Sequence, residues 1–362
     1  MSGTPWYDGV VKEETTSIYL YRGGEKLVGR SGVGQAIRHQ EACLARCGLT
    51  VTDRFTPDTD AVHINTVLPD SVGTALLAHL RGRKVVWYGH STMEDFRCSF
   101  RGSDLLAPLF RRWITFCYGL GDVVLTPTPY SRRLLAGYGL RKPVYSLSNG
   151  VDTDFFHPDP AAKDAFRRRY GLRAEEKTVI SVGHTIARKG LPEYLELARR
   201  MPDVRFLWFG WTDPRLIPAE ISRAIQNAPP NVIFPGFVDR ERLREAYQGA
   251  DAFAFLSHEE TEGIVVLEAL ACGIPTVLRD IPVYDGWLEH GKTVYKASNT
   301  DEFQRIVMGL LDKTLPDLAA AGQQVAETRS LEAVGERLKE IYRRERILPP
   351  LPAPMPRRQA KA

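Results

Sequence analysis

Two glutamates that could bind a substrate, Glu260 and Glu268, lie eight residues apart on either side of a predicted loop-to-helix junction. The residues before them, 251–257, form a short apolar run typical of a strand, and residues 265–271 have the pattern of a helix. Backbone N–H groups at a helix start have no partner within the helix and lie at the positive end of its dipole, so they attract phosphate. The segment therefore predicts a phosphate-binding loop with two carboxylates that can bind hydroxyl groups.

A basic loop and a histidine occupy equivalent places elsewhere in the chain. Residues 183–190 follow a predicted strand, and Arg188 and Lys189 in this loop could stabilise a leaving diphosphate as its negative charge builds. A solvated basic turn is the alternative for this loop. His90 follows the predicted strand 84–88, at the carboxyl edge where open α/β sheets bind their ligands.

Three other motifs are weaker evidence of a functional site. The glycines of 29–34 follow the first strand, but the third glycine of a dinucleotide fingerprint would fall on Ile37. Asp58-Thr-Asp60 and Asp152-Thr-Asp154 resemble metal-binding pairs, yet one precedes a strand and the other lies in a linker. Hydrogen bonding to backbone explains both better, so we expect no metal site.

The strands that would position these groups alternate with helical segments, which predicts βαβ units and parallel sheets. The predicted strands are 17–21, 61–65, 84–88, 123–126, 144–148, 178–183, 204–210, 232–235, 251–256 and 275–278. We expect an α/β protein with two Rossmann-like domains that face one cleft. The predicted divisions are a first domain at 1–150, a second at 151–325, a helix at 326–347 that packs on the first domain, and a disordered, basic, proline-rich tail at 348–362.

Composition narrows the class of protein. The 362 residues are too many for one ordinary core, and a net charge of +4 is too small to indicate nucleic-acid binding. The five cysteines form no C-x-x-C pair, which fits a reducing compartment. Because no apolar run approaches the roughly 18 residues of a spanning helix, we expect a cytoplasmic protein with only peripheral membrane contact.

One predicted helix, 103–120, could supply that contact. Apolar residues recur along it at helical spacing, and four arginines lie on it or just before it. Such a face could lie on an anionic bilayer, although a stripe of this kind also packs against a protein core. The residues of this region that could contact a membrane, or the acceptor substrate of a group-transfer reaction, are Asp95, Arg97, Leu105, Leu109, Phe110, Arg111, Arg112, Trp113 and Phe116.

Taken together, these segments resemble glycosyltransferase family 4, whose members are retaining enzymes with the two-domain GT-B fold. The resemblance rests on the E-x₇-E spacing of Glu260 and Glu268 and extends to Gly34, His90 and the segments 149–152, 189–190 and 232–238. The runs 126–131, 259–268 and 279–287, and Asp95-Phe-Arg97 leading into 105–110, look more narrowly like bacterial 1,2-diacylglycerol 3-glucosyltransferases.

The resemblance implies transfer of glucose from UDP-glucose to 1,2-diacylglycerol at an anionic membrane surface, with retention and without a metal or other cofactor. It implies that Glu268 holds the ribose hydroxyls, while Glu260 and His90 contact the transferred sugar. The residues implied for chemistry are His90, Arg188, Lys189 and Glu260. Those implied for donor binding are Gly34, Gly183, His184, Arg188, Lys189, Phe237, Val238, Glu260, Thr261, Glu262, Gly263, Ile264 and Glu268. His184 replaces an arginine usual in the family, which leaves one diphosphate contact without its usual residue.

Three alternatives remain from the residues. The chain could be a family-4 enzyme with another sugar nucleotide or another lipid or soluble acceptor. It could bind a sugar nucleotide without turnover, although the glutamate pair argues against this. A nicotinamide-dependent oxidoreductase is disfavoured by Ile37 in the glycine loop. The residues do not distinguish glucose from galactose, and they do not fix the oligomeric state.

Overall fold

The computed structural model describes residues 16–24, 29, 32–97, 99 and 102–350. It contains twelve strands within these ranges, β1–β12: Ser17–Tyr21, Thr50–Thr52, Ala61–Ile64, Lys84–Tyr88, Val123–Thr126, Val144–Ser146, Lys177–Val182, Val204–Phe209, Val232–Gly236, Ala252–Phe255, Thr276–Arg279 and Tyr295–Ala297.

The described α-helices, α1–α13, alternate with these strands. They span Gly32–Arg46, Pro69–Leu80, Met93–Phe96, Ser103–Gly119, Pro129–Gly137, Ala162–Tyr170, Leu191–Arg200, Ala219–Gln226, Arg240–Gly249, Ile264–Ala271, Thr300–Leu311, Ala319–Glu327 and Leu331–Arg344. None of them is long and apolar enough to span a membrane.

The strands form two six-stranded parallel sheets, in the orders β2-β1-β3-β4-β5-β6 and β12-β11-β10-β7-β8-β9. Helices cover both faces of each sheet with apolar cores, as parallel sheets require. The predicted α/β class with two Rossmann-like units is confirmed. Two edge strands, β2 and β12, were not predicted. Each has only three residues, and an apolar run of that length also occurs in turns.

The chain crosses between the two sheets twice. The first crossing follows β6, and the second lies between α12 and α13, where Val151 and Ser330 form a parallel bridge. Leu331, Leu338 and Tyr342 of α13 then pack in the core of the first sheet with Ile18. Leu348, the first residue of the predicted tail, is buried in that core, and its N–H donates to the Tyr342 carbonyl at 3.2 Å. Residues 351–362 lie outside the described part.

A glycine brings the basic loop against the strand that precedes the acidic loop. Ala187–Lys189 forms a single 3₁₀ turn, and Gly190 after it adopts a φ of +79°. A Cβ on Gly190 would lie 2.2 Å from the carbonyl oxygen of Leu256. Glycine is therefore required here both for its conformation and for the close contact between backbones.

Gly190→Ala should lower the free energy of unfolding by about 2–4 kcal/mol, the sum of a left-handed alanine and an overpacked backbone contact. The measurement is urea unfolding of the full chain. Gly171→Ala is the matched control, because Gly171 also has a positive φ but a Cβ on it would have no neighbouring atom within 4 Å. Equal losses for the two variants would contradict the proposed contact.

Candidate active site

Glu260 and Glu268 lie on either side of a loop-to-helix junction, but their side chains have different partners. The loop runs from β10 to α10, which begins at Ile264 after Gly263 in a left-handed conformation. Both side chains are buried, with Glu260 6% and Glu268 3% exposed. Glu260 pairs with a cation, whereas Glu268 accepts a hydrogen bond from the Tyr247 hydroxyl at 3.2 Å. Only Glu260 is therefore neutralised by a partner.

The partner of Glu260 is Lys189 on the basic loop. Lys189 Nζ lies 2.5 Å from Glu260 Oε1; the Glu260 side chain is buried and that of Lys189 is 13% exposed. Burial alone would raise the pKa of the Glu260 carboxyl, but the charges of Lys189 and Arg188 outweigh it and hold that pKa below its ordinary value. An ion pair next to the helix start thus joins the two loops that the sequence predicted as the donor site.

Arg188 spans the cleft between the two sheets. Its guanidinium lies 2.7 Å from Asp95 Oδ1 and donates to the Ser99 hydroxyl at 2.9 Å, both in the first domain. It also donates to the backbone carbonyl of Glu259 at 2.6 Å. The structure therefore places Asp95 in the cleft, next to the basic loop of the second domain.

Glu262 has a role that its spacing did not reveal. Its side chain is only 1% exposed. One carboxylate oxygen accepts from the Ser148 hydroxyl at 2.5 Å, and the other accepts from the backbone N–H and side-chain amide of Asn149 at 2.9 and 2.8 Å. Burial nevertheless raises the pKa of Glu262. These bonds tie the acidic loop to the linker between the domains, and they explain why β6 ends at Ser146 and not at the predicted residue 148.

Two further contacts close the cleft over the loop. The Thr128 hydroxyl donates to the Thr261 carbonyl at 2.9 Å, and the Tyr130 hydroxyl donates to Glu259 at 3.1 Å. Burial raises the pKa of Glu259 to about 7, and the carboxylates of Asp95 and Glu260 add to this. Sequence reasoning missed Glu259, although it directly precedes Glu260.

His90 lies where its strand position predicted, after β4 at the edge facing the cleft. Its ring stacks on Tyr88, with the centroids 4.4 Å apart, and its Nε2 lies 2.8 Å from Asn65 Oδ1. Burial lowers the pKa of His90 to about 3, so the ring is neutral near pH 7. It can offer a hydrogen bond but no charge.

The other predicted donor residues lie around these loops. Gly34 is buried in the first turn of α1, not in a loop as predicted, because the helix begins at Gly32 and not at Gln35. Gly183 follows β7, and the next residue, His184, has its Nδ1 3.1 Å from the Trp211 carbonyl oxygen. Phe237 and Val238 follow β9, and the side chain of Phe237 is exposed.

The amphipathic helix α4 packs on the first sheet through a narrow set of residues and leaves much of its apolar face in solvent. Leu105 is 87% exposed and Leu109 is 65% exposed. The exposed apolar residues of α4 are Leu105, Leu106, Leu109 and Phe116. Arg97 and Arg112 are exposed as well.

Three predicted members of that surface are instead partly engaged by the protein. Trp113 Nε1 donates to the Val67 carbonyl at 2.6 Å, and Phe110 stacks on Phe96 with centroids 4.2 Å apart. The Arg111 guanidinium lies over the Tyr138 ring at 4.7 Å. These three side chains are half-buried, and their contacts fix α4 against the protein. They add little to its exposed apolar face.

A second apolar face lies on α2, which sequence reasoning did not identify. Leu76, Leu77 and Leu80 are exposed on the side opposite the buried Ala75 and Ala78. The helix lies beside α4, since Ala75 and Ala78 share one core with Ile114 and Cys117 of α4. The leucine spacing of i, i+1 and i+4 was a detectable signal, but helix packing would give the same spacing.

Three of the four aspartates that resemble metal-binding pairs contact other groups of the protein. Asp60 accepts from the backbone N–H of Ser17 at 2.8 Å. Asp152 and Asp154 both pair with Arg46, at 3.4 and 2.9 Å. In the described ranges, no group of three His, Cys, Asp or Glu side chains is placed to hold a metal ion.

The comparisons with known proteins agree with this architecture. Residues 37–155 match the model of Glycosyltransferase Family 4, and residues 162–327 match that of Glycosyl transferases group 1. A processive diacylglycerol alpha-glucosyltransferase of Acholeplasma laidlawii is 38% identical over 326 residues, which cover 90% of this chain and 97% of the relative. The chain belongs to glycosyltransferase family 4.

Other relatives of this glycosyltransferase extend the comparison. The alpha-galactosylglucosyldiacylglycerol synthase of Streptococcus pneumoniae is 28% identical over 291 residues, covering 77% of this chain and 76% of the relative. Among solved structures, sucrose-phosphate synthase of Thermosynechococcus elongatus superposes with a TM-score of 0.75 over 91% of this chain and 98% of that one, at 19% identity. HepE of Anabaena, in complex with UDP and glucose, gives 0.71 over 90% and 99%, at 17% identity. The similarity to these two structures shows that the chain has the GT-B fold.

Glu268 makes stability depend on pH in a direction that can be tested. Burial raises its pKa to about 7, and the Tyr247 hydrogen bond only partly offsets this. Because the folded pKa is above that of an unfolded glutamate, this contribution to stability is complete in acid and is lost as pH rises through 7.

Glu268→Gln cannot ionise, so relative to the natural chain it should gain about 1–3 kcal/mol of unfolding free energy between pH 5 and pH 8. Urea unfolding at several pH values measures the gain. Glu241→Gln, on the exposed start of α9, is the control and should show no such trend. A pH-independent difference for Glu268→Gln would contradict the raised pKa.

Proposed function

We propose that the protein transfers glucose from UDP-glucose to the free hydroxyl of 1,2-diacylglycerol, forming α-monoglucosyldiacylglycerol with retention. Support for the donor comes from the paired loops around Glu260 and Lys189 and from the helix start at Ile264. The observation that carries the acceptor assignment is the pair of exposed apolar faces on α2 and α4. The name of the 38% identical relative is consistent with both.

In this proposal the donor lies mainly against the second domain. The Glu268 carboxylate accepts hydrogen bonds from the ribose hydroxyls, and Glu260 does so from the transferred sugar. Backbone N–H groups of 261–264 reach the sugar and the phosphate, since they open α10. His90 approaches the sugar from the first domain as a neutral ring.

Lys189 and Arg188 supply the charge that stabilises the leaving UDP. Both are held by carboxylates, Glu260 and Asp95, and the diphosphate would share or replace these partners. Fixed cations in a cleft stabilise the developing negative charge without having to reorganise, so the chemistry needs no metal ion. The departing phosphate oxygen then takes the acceptor proton on the same face of the sugar, which gives retention.

The membrane contact would be peripheral and would involve the first domain. Exposed leucines on α2 and α4 enter the interface between head groups and acyl chains, while arginines such as Arg112 face anionic lipid. This places the cleft near the lipid surface and lets diacylglycerol reach it without leaving the bilayer. We propose a location on the cytoplasmic face of the membrane.

Glu260→Gln should lower turnover by at least about a hundredfold, because it removes both the sugar contact and the partner of Lys189. The assay uses purified full-length protein, UDP-glucose and diacylglycerol in phosphatidylglycerol vesicles, with mass spectrometry of the lipid product. Glu176→Gln is the matched control, since Glu176 is also buried and paired, with Arg205, but precedes β7 at the opposite end of the sheet from the cleft loops.

The same assay tests the acceptor. A hexosylated diacylglycerol from the natural chain supports the proposal, and proton NMR of the product identifies glucose and the α linkage. If diacylglycerol gives no product while another lipid or a soluble sugar is glycosylated, the acceptor assignment is wrong. UDP-glucose binding without any transfer would favour a non-catalytic sugar-nucleotide-binding protein.

Two double variants test the membrane faces separately. Leu105→Gln with Leu109→Gln on α4, and Leu76→Gln with Leu80→Gln on α2, should each weaken vesicle binding at least about tenfold, because each buried leucine contributes about 1.5–3 kcal/mol. The measurement is sedimentation with phosphatidylglycerol vesicles. Leu216→Gln with Met308→Gln is the control, since these apolar residues are also exposed but lie in the second domain. Unchanged binding of both test variants would exclude the proposed surface.

A further inference from the structure

His90 is held by groups that the donor site described above does not use. Asn65 directly follows β3, the strand beside β4, so its side chain lies at the same sheet edge as His90. Its Oδ1 is 2.8 Å from His90 Nε2, and Tyr88 stacks on one face of the ring. Asn65 and His90 are both more than nine-tenths buried. The ring is therefore fixed both in its plane and along one edge.

A neutral imidazole carries its single proton on one of two nitrogens, and the partner of each nitrogen decides which. His90 Nε2 has two neighbours of opposite kind: Asn65 Oδ1, which can only accept, at 2.8 Å, and the Gln40 amide nitrogen, which can only donate, at 3.4 Å. The shorter contact favours a proton on Nε2, so the Gln40 amide does not donate to the ring. Nδ1 then has a free lone pair, and it has no hydrogen-bond partner in the described part of the chain. A nitrogen of this kind accepts a hydrogen bond from a hydroxyl.

Buried polar atoms around the ring also indicate a ligand. The Asn65 Nδ2 amide and the Gln40 Oε1 carbonyl are buried and have no hydrogen-bond partner among the described residues. Gln40 lies on α1 with its amide nitrogen 3.4 Å from His90 Nε2. Buried groups of this kind are rarely left unpaired, and a sugar hydroxyl both donates and accepts. With Nε2 protonated, the Gln40 amide can turn its carbonyl to that nitrogen, so the groups left for a hydroxyl at this edge are the Asn65 amide donor and the Nδ1 lone pair.

We propose that Asn65 is a positioning residue that fixes His90 in the Nε2–H tautomer, so that Nδ1 accepts a hydrogen bond from a hydroxyl of the transferred sugar. The part that concerns the sugar rests on the proposed function. The part that concerns the tautomer is a property of the protein without substrate, so the two can be tested apart.

The tautomer is measured by long-range ¹⁵N–¹H NMR on full-length protein labelled with ¹⁵N-histidine, from pH 6 to 8, with His90→Gln to assign the signal. We expect protonated Nε2 and bare Nδ1 in the natural chain. Asn65→Leu should abolish this preference and lower kcat at least about tenfold, because the nitrogen presented to the sugar is no longer fixed. A ring protonated at Nδ1, or an unchanged tautomer in Asn65→Leu, would overturn the proposal.

Asn65→Asp separates positioning from a general structural role. The titratable groups that face the ring are His63 on β3 and Tyr88 on β4, and α1 contributes the uncharged Gln40. A carboxylate at 65 keeps the acceptor at Nε2 but stabilises a charged ring. The tautomer should persist, while activity should fall on the acid side, where a second proton blocks Nδ1.

The exposed Asn227→Asp on the C-terminal side of α8 is the matched control and should leave the pH profile unchanged. A purely structural role predicts instead that Asn65→Asp lowers activity equally at every pH, and that result would contradict the inference. Inactivity of the natural chain on diacylglycerol with the expected tautomer would count against the acceptor assignment alone.

Discussion

The buried carboxylate of Glu262 is the interaction on which the arrangement of this glycosyltransferase depends. A carboxylate this deep must be fully hydrogen-bonded, and its partners come from Ser148 and Asn149 of the linker. The linker is where the chain leaves the first sheet, and Glu262 lies in the loop between β10 and α10. One side chain therefore sets the position of the acidic loop relative to the junction of the domains.

A second layer of polar contacts builds on that anchor. Asp95, Thr128 and Tyr130 of the first domain all meet the loop or the basic turn of the second domain. Each contact uses a group that a substrate could also contact, so these bonds hold the two sides of the cleft together. An anion bound to the cleft would replace one partner of such a group with another.

Much of this could be predicted from the sequence, because the signals are local. Apolar runs gave nearly all the strands of both sheets, and the strand-to-helix pattern placed Glu260, Lys189 and His90 at strand ends. The contacts that were not predicted join residues far apart in the chain. Glu262 and Asn149 are 113 residues apart, and Asn65 and His90 are 25 apart. No periodicity within a single element encodes such pairs.

The sequence also did not determine which apolar side chains are exposed to solvent. A stripe of leucines has the same spacing whether it packs on a core or faces solvent, so residues 103–120 left both interpretations open. In the structure the small residue Ala107, with Ile114 and Cys117, contacts the core, and the larger leucines remain outside. For the same reason, the sequence could not show that the alanines of α2 are buried and its leucines exposed. Only the placement of each helix on its sheet decides which face is covered.

The two apolar faces belong to the first domain alone, and this has a consequence for how the protein would meet its acceptor. Attachment through these faces, as proposed above, would hold the first domain at the lipid and leave the second domain above it. Encounter with diacylglycerol would then be a search in two dimensions, and the product would remain in the same plane as the protein. The number of acceptor molecules per unit area, and not their bulk concentration, would set how often the cleft is filled.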